Sequence, residues 1–244
     1  MLRRVVRDDV PLAPVHAAVH ARLVAIAPGR ADTTLPAPSA DPDAALWLLG
    51  DFASGLAVTG TLDPGQRITT LRLTLHVLSR EIEGDTLHAA GCLDERLPDV
   101  ALSTAVITDG AGRTIARAHG RNAVLTDEVA AGYGTEVPSW ASSPLTVAGM
   151  VRDGGAPSDQ AVNTAAVVQG GALASVPARA LAGVLDGPAD EASAAFLRPV
   201  PADGRTVHAE AELEHGGRRL RSGRALLRDD RDRVVLSVSG LRYG

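Results

Sequence analysis

Two stretches of the chain alternate between apolar and polar residues, as β-strands with one buried face do. In residues 71–77, leucine and valine alternate with arginine, threonine and histidine. In residues 115–121, arginine and histidine occupy one face and small residues the other. Turn signals stand at residues 84–85 and 109–112. The pattern predicts an antiparallel sheet, and residues 21–27 are expected to form a first strand.

Two other segments are apolar on nearly every side, which predicts helices buried all round. Residues 44–58 follow Asp41-Pro42-Asp43, which supplies an N-cap, a proline in the first turn and acidic residues at the positive end of the helix dipole. Residues 170–185 begin with two glycines and form the second helix. An all-apolar helix must be covered on most sides, so we expect a curled sheet wrapped around each helix.

The two halves of the chain are similar to each other. A shift of 120 positions places residues 88–120 on residues 208–240 without a gap, with seven identical positions. Each segment opens with Thr-apolar-His-Ala, has a polar turn at Asp109 or Asp229, and closes on a glycine. The shared opening, turn and closing glycine indicate a tandem duplication.

The predicted fold class is therefore α+β, with two tandem domains over residues 1–129 and 130–244. Each copy is expected to run strand, buried helix and then antiparallel strands around the helix. The glycine-, proline- and serine-containing residues 132–143 are the natural linker.

Composition excludes several kinds of chemistry. All 24 basic residues are arginine, so no lysine can form a Schiff base or bind phosphate as in a P-loop. The net charge of −5 and the scattered arginines give no basic face for nucleic acid. The single Cys92 excludes an internal disulfide. Without a signal peptide pattern or a membrane-length apolar run, we expect a cytoplasmic protein that does not bind membranes.

Asp51 is the only ionisable residue within the first apolar helix. A buried carboxylate must be hydrogen-bonded, protonated or turned toward a cleft, so Asp51 is either a structural acceptor or a functional group. A second candidate is the helix start at Gln169-Gly170-Gly171, with Asn163 six residues before Gln169. Free N–H groups at a helix start can hold a developing oxyanion, although a plain turn into a helix would have the same glycines.

These spacings resemble the hotdog-fold acyl-CoA thioesterases of the phenylacetic-acid-pathway type. In that family an Asn is followed six residues later by His or Gln and then by a Gly that opens the central helix. The family's catalytic carboxylate stands eight residues after this Gly. The second copy matches with Asn163, Gln169 and Gly170, but Ala178 replaces the carboxylate. The first copy matches with Asp51, but Asp43 replaces the Gly.

The first copy lacks the glycine of the family pattern and the second copy lacks the carboxylate, so each copy has what the other lacks. Because family members build each site from both subunits of a dimer, the resemblance implies one complete site, with Asp51 facing Gly170, and one inactive counterpart with Asp43 and Ala178. It also implies that Gln169 and Asn163 assist at the entrance, and that Thr69 orients Asp51 from the next strand. The implied substrate is an acyl- or aryl-CoA thioester, with no metal or redox cofactor. We further expect the double unit to form a homodimer.

Other functions stay open at this point. A non-catalytic hotdog protein that binds acyl-CoA or acts as a scaffold fits the Gln in place of His. A hydratase or dehydratase would need an Asp/His pair, and the nearest histidine, His76, lies on the next strand. His16 and His20 are four residues apart and could share a metal, although no third ligand is evident.

Overall fold

The computed structural model describes residues 2–37, 41–126 and 138–244. The described helices are α1 (Leu2–Asp8), α2 (Pro14–Val19), α3 (Pro42–Thr59), α4 (Val147–Met150) and α5 (Gly170–Leu185), with a 3-10 turn over Asp159–Ala161. The described strands are β1 (Arg22–Ala27), β2 (Arg30–Pro36), β3 (Gln66–Val77), β4 (Thr86–Arg96), β5 (Val100–Thr108), β6 (Thr114–Thr126), β7 (Glu191–Phe196), β8 (Val207–Gly216), β9 (Leu220–Asp229) and β10 (Val234–Tyr243).

The ten described strands form one antiparallel sheet in the order β1-β2-β4-β5-β6-β3-β7-β10-β9-β8. The first six belong to the first copy, and β3 pairs with β7 where the copies meet. There Leu73 pairs with Ala194 and Thr74 with Ser193. Each half wraps its strands around one helix, which is the predicted arrangement of two tandem hotdog units.

The strand register confirms the duplication predicted from the sequence. In the first copy Ala89 pairs with Ile107. The residues 120 positions later, Ala209 and Leu227, pair with each other in the second copy. The bulge of β4 recurs at the same place in β8. The two copies therefore share the pairing of their last three strands.

The second copy departs from the predicted order at its start, because no counterpart of β1 or β2 precedes α5 in residues 138–169. The expected first strand of the second copy is therefore absent from these residues. A single bridge joins Gly155 to Val207. With the shift of 120, these two residues correspond to Leu35 of β2 and Leu87 of β4, which pair with each other in the first copy. The remaining length of β8 is an open edge that carries three glutamates, a charge pattern that disfavours pairing with another chain.

The two central helices have the predicted positions. Helix α3 begins two residues before the predicted start, with the Asp41 side chain accepting a hydrogen bond from the Ala44 N–H. It packs against β2 and β4–β6, while α5 packs against β8–β10. Both helices are buried on most sides, as their all-apolar sequences require.

Helices α3 and α5 also pack directly against each other, and Gly171 sets how closely they approach. A Cβ atom at Gly171 would lie 2.2 Å from the Trp47 carbonyl oxygen and 2.7 Å from the Leu48 Cα. Because both contacts are to backbone, a larger residue would push the helices apart.

The predicted domain boundary at residues 129 and 130 falls outside the described residues, as does part of the predicted linker. No described helix is long and apolar enough to cross a membrane.

We expect Gly171→Ala to destabilise the fold by about 1–3 kcal/mol, since the new methyl group has no space between the helices. Gly183→Ala is the matched control, because a Cβ at this position of α5 meets nothing within 4 Å. The control should stabilise the helix by up to about 1 kcal/mol. Urea unfolding measures both, and equal effects of the two substitutions would contradict the close helix contact.

Candidate functional site

Asp51 lies in the middle of α3, on the face that meets the start of α5. Its Oδ1 accepts a hydrogen bond from the Thr70 hydroxyl on β3 at 2.9 Å. Its Oδ2 accepts two bonds from the second copy, from Gln169 Nε2 at 2.6 Å and from the Gly171 N–H at 3.2 Å. The structure thus brings Asp51 of one copy against the helix start of the other.

Gln169 connects the carboxylate to the end of α5. It is the N-cap of the helix, and its Oε1 accepts the Ala172 N–H at 2.6 Å. An amide oxygen that accepts from a backbone N–H leaves the NH₂ group to donate, and this group points to Asp51. Glutamine therefore caps the helix and binds the carboxylate with one side chain, and the two bonds fix its orientation.

The surroundings of Asp51 act on its pKa in opposite directions. Burial raises the pKa of Asp51 above that of an ordinary aspartic acid, because the charged form is less well solvated. The bonds from Thr70, Gly171 and Gln169 stabilise the carboxylate and oppose this rise in pKa. The result is a carboxylate that binds a proton more readily than an exposed one.

Gly170 lies directly beside the carboxylate. A Cβ at this position would be 3.0 Å from Asp51 Oδ2 and 3.3 Å from the Phe196 ring, so a side chain would fill the space between them. Within the described residues, the Gly170 N–H has no hydrogen-bond partner, whereas those of Gly171 and Ala172 are bound. The first N–H of α5 is thus available next to Asp51.

The hydroxyl on the next strand belongs to Thr70 and not to Thr69, which corrects the sequence prediction. Thr69 is exposed, although it lines the same cavity, and Thr70 holds Asp51. Leu73, Leu75 and Val77 of β3 are buried in strict alternation. The register of β3 shifts at a bulge between Thr70 and Arg72, so this alternation does not extend to Thr69. The bulge turns Thr70 toward the helix, and an alternating pattern cannot reveal it.

Asn163 lines the cavity but has no bond to Asp51. Its Oδ1 accepts the Ala165 N–H at 2.7 Å, and its N–H donates to the Val167 carbonyl. These bonds close a tight turn in which Ala166 has a φ of 56°. Asn163 therefore shapes the loop that leads into α5.

A cavity of about 690 Å³ opens beside Asp51 and reaches both copies of the chain. Leu12, Phe52, Leu56 and Leu125 from the first copy give it a largely apolar wall. Its size lies within the range of small-molecule binding sites.

The counterpart of this site, related by the pseudo-twofold symmetry, is closed by ion pairs. Arg80 binds Asp43 at 3.2 Å and Asp190 at 3.0 Å, and Arg179 binds Asp41 at 2.7 Å. A cavity of only about 50 Å³ remains there. Ala178 stands where the first copy has its carboxylate, so this side has neither the space nor the group.

The two histidines considered as metal ligands point to different partners. His20 bonds the Ala141 carbonyl oxygen at 2.8 Å, and His16 stacks on Phe52. No cluster of three metal-ligating side chains occurs in residues 2–37, 41–126 and 138–244. His16 lies in the cavity wall, a position that the four-residue spacing of the two histidines does not indicate.

Solved structures of thioesterases are similar to the chain. No known protein family and no curated protein matches its sequence. A thioesterase family protein from Silicibacter pomeroyi is 20% identical, with 52% of this chain and 100% of that chain covered and a TM-score of 0.44. A phenylacetic acid degradation-related thioesterase from Ralstonia eutropha is 21% identical, covers 50% and 98%, and has a TM-score of 0.45.

A longer structure, the 12:0-ACP thioesterase from Umbellularia californica, is 11% identical over 74% of this chain and 75% of that chain, with a TM-score of 0.48. Thioesterases, the class of protein that the sequence resembles, are thus among the solved structures similar to the chain. The two shorter proteins each cover about half of the chain.

We expect Thr70→Val to raise the pKa of Asp51 further, since it removes a hydrogen bond that favours the charged form. Thr69→Val is the matched control and should leave this pKa unchanged. The ¹³C carboxyl signal of labelled aspartate, followed through a pH titration, measures both variants. An equal shift in the two, or none in Thr70→Val, would contradict the described contact.

Proposed function

We propose that the chain hydrolyses an acyl- or aryl-CoA thioester at one site between its two copies. The observation that carries the proposal is the contact between Asp51 and the start of α5, where a carboxylate and a free N–H face one cavity. Thioester hydrolysis needs a group that attacks or activates water and a donor for the oxyanion. Asp51 and Gly170 supply one each.

The carbonyl oxygen of the substrate binds the Gly170 N–H, beside Asp51. When the carbonyl carbon is attacked, negative charge develops on this oxygen at the positive end of the α5 dipole. A side chain at residue 170 would occupy this space, which accounts for glycine there. Gln169 and Thr70 hold the carboxylate in place from opposite sides.

Asp51 has two possible roles in this geometry. As a general base it takes a proton from water, the hydroxide adds to the carbonyl, and the sulfur leaves as CoA thiol with that proton. As a nucleophile it forms an acyl anhydride and releases CoA, and water then cleaves the anhydride. In a single turnover in H₂¹⁸O, label in Asp51 identifies the nucleophile route, with water adding at the Asp51 carbonyl carbon of the anhydride. Label in the product acid alone is the result of the base route and also of water attack at the acyl carbon of the anhydride.

Two features of the cavity support a CoA thioester. Its apolar wall suits an acyl group, and Arg67 and Arg198 line the same cavity. Guanidinium groups bind phosphates through paired hydrogen bonds. The reaction as proposed uses a carboxylate, backbone amides and water.

We expect Asp51→Asn to lower kcat by at least about 100-fold while the fold stays intact, because an amide neither accepts the proton nor attacks the carbonyl. Asp43→Asn is the matched control, since it changes the corresponding carboxylate of the closed side and should retain turnover. Release of CoA thiol from a panel of acyl-CoA substrates measures both, and circular dichroism checks folding. Saturable binding without thiol release by the unaltered protein would contradict the proposal and favour a binding protein.

A further inference from the structure

The cavity wall contains a histidine whose ring nitrogens have no hydrogen-bond partner among the described residues. His16 lies on α2, has only 4% of its surface exposed, and lines the cavity beside Asp51. Its ring stacks on the Phe52 ring with 3.8 Å between centroids, and Phe52 directly follows Asp51 on α3. Neither Nδ1 nor Nε2 has a partner in the described structure. Buried polar atoms are nearly always paired, so this exception calls for a partner.

The surroundings of His16 restrict what that partner can be. Burial lowers the pKa of His16 to about 3, so the ring is neutral at ordinary pH and carries one N–H donor and one acceptor nitrogen. Phe52 stacks on the ring, and Leu12 and Leu56 line the same cavity. A charged group would be costly to bury there, whereas a hydroxyl can both donate to and accept from the imidazole.

We propose that His16 is a specificity-determining residue that selects acyl groups bearing a hydroxyl on the chain. The inference rests on the proposed function, because it assigns the cavity to the acyl part of a thioester. When the acyl chain enters, its hydroxyl binds an imidazole nitrogen. Both ring nitrogens are buried in the described structure, so this contact requires the His16 ring to turn toward the cavity. An acyl chain without a hydroxyl leaves the ring nitrogens unpaired in an apolar cavity. The hydroxylated chain therefore binds with the more favourable free energy.

His16→Phe is the test variant, because phenylalanine keeps the stacking on Phe52 and removes both nitrogens. His88→Phe makes the same change at an exposed position of β4 and is the matched control. The substrates are acyl-CoA thioesters of equal length, plain or with a single hydroxyl at each successive carbon. We expect the unaltered protein and the control to prefer one hydroxylated isomer by roughly 10- to 100-fold in kcat/KM, and His16→Phe to lose this preference.

A second measurement separates this inference from the proposed function. Calorimetry of the matching free acids, plain and hydroxylated, gives the same discrimination without any turnover, and the ¹⁵N signals of the His16 ring should shift only with the hydroxylated acid. If hydrolysis is absent but this discrimination and its loss in His16→Phe are found, the proposed function falls and the role of His16 stands. Equal binding of plain and hydroxylated acids, or a preference that persists in His16→Phe, would overturn the inference.

Discussion

The contact between α3 and α5 is the interaction on which the rest of the structure depends. Gly171 lets the two helices approach until the Asp51 carboxylate reaches the first N–H groups of α5. A carboxylate buried in an apolar helix would otherwise be costly, and the helix start compensates for this cost with donors and with the positive end of its dipole. The same contact joins the two copies, so the stability of their association and the geometry of the site have a common origin.

The contact between α3 and α5 has two sides related by the pseudo-twofold symmetry, and in the described part of the chain only one of them has a large open cavity. On the open side a carboxylate, a glutamine and a glycine meet beside about 690 Å³ of space. On the other side Arg80 and Arg179 hold aspartates in ion pairs and fill the corresponding volume. In residues 138–169 the second copy has no counterpart of β1 or β2 apart from the bridge at Gly155. In a fused chain the two halves need not remain identical. Here the first copy retains the carboxylate of Asp51, and the second copy retains the helix start at Gly170.

Much of this arrangement could be predicted from the sequence because it depends on periodicity and on spacing. The apolar runs predicted both helices, the 120-residue shift predicted the duplication, and the family resemblance placed Asp51 opposite Gly170. The rest depends on contacts that a pattern does not contain. The bulge that turns Thr70 toward Asp51, the ion pairs of Arg80 and the stacking of His16 all join residues distant in sequence or offset by one position.

The central claim, one catalytic site shared by the two copies, is tested most directly by a crystal structure with a non-hydrolysable thioether analogue that retains the acyl carbonyl. We predict one ligand per chain, with its carbonyl oxygen about 3 Å from the Gly170 nitrogen and its carbonyl carbon facing Asp51. The side of the molecule that holds Arg80 and Asp43 should remain empty. A ligand bound on that side, two ligands per chain, or a carbonyl turned away from Gly170 would contradict the account.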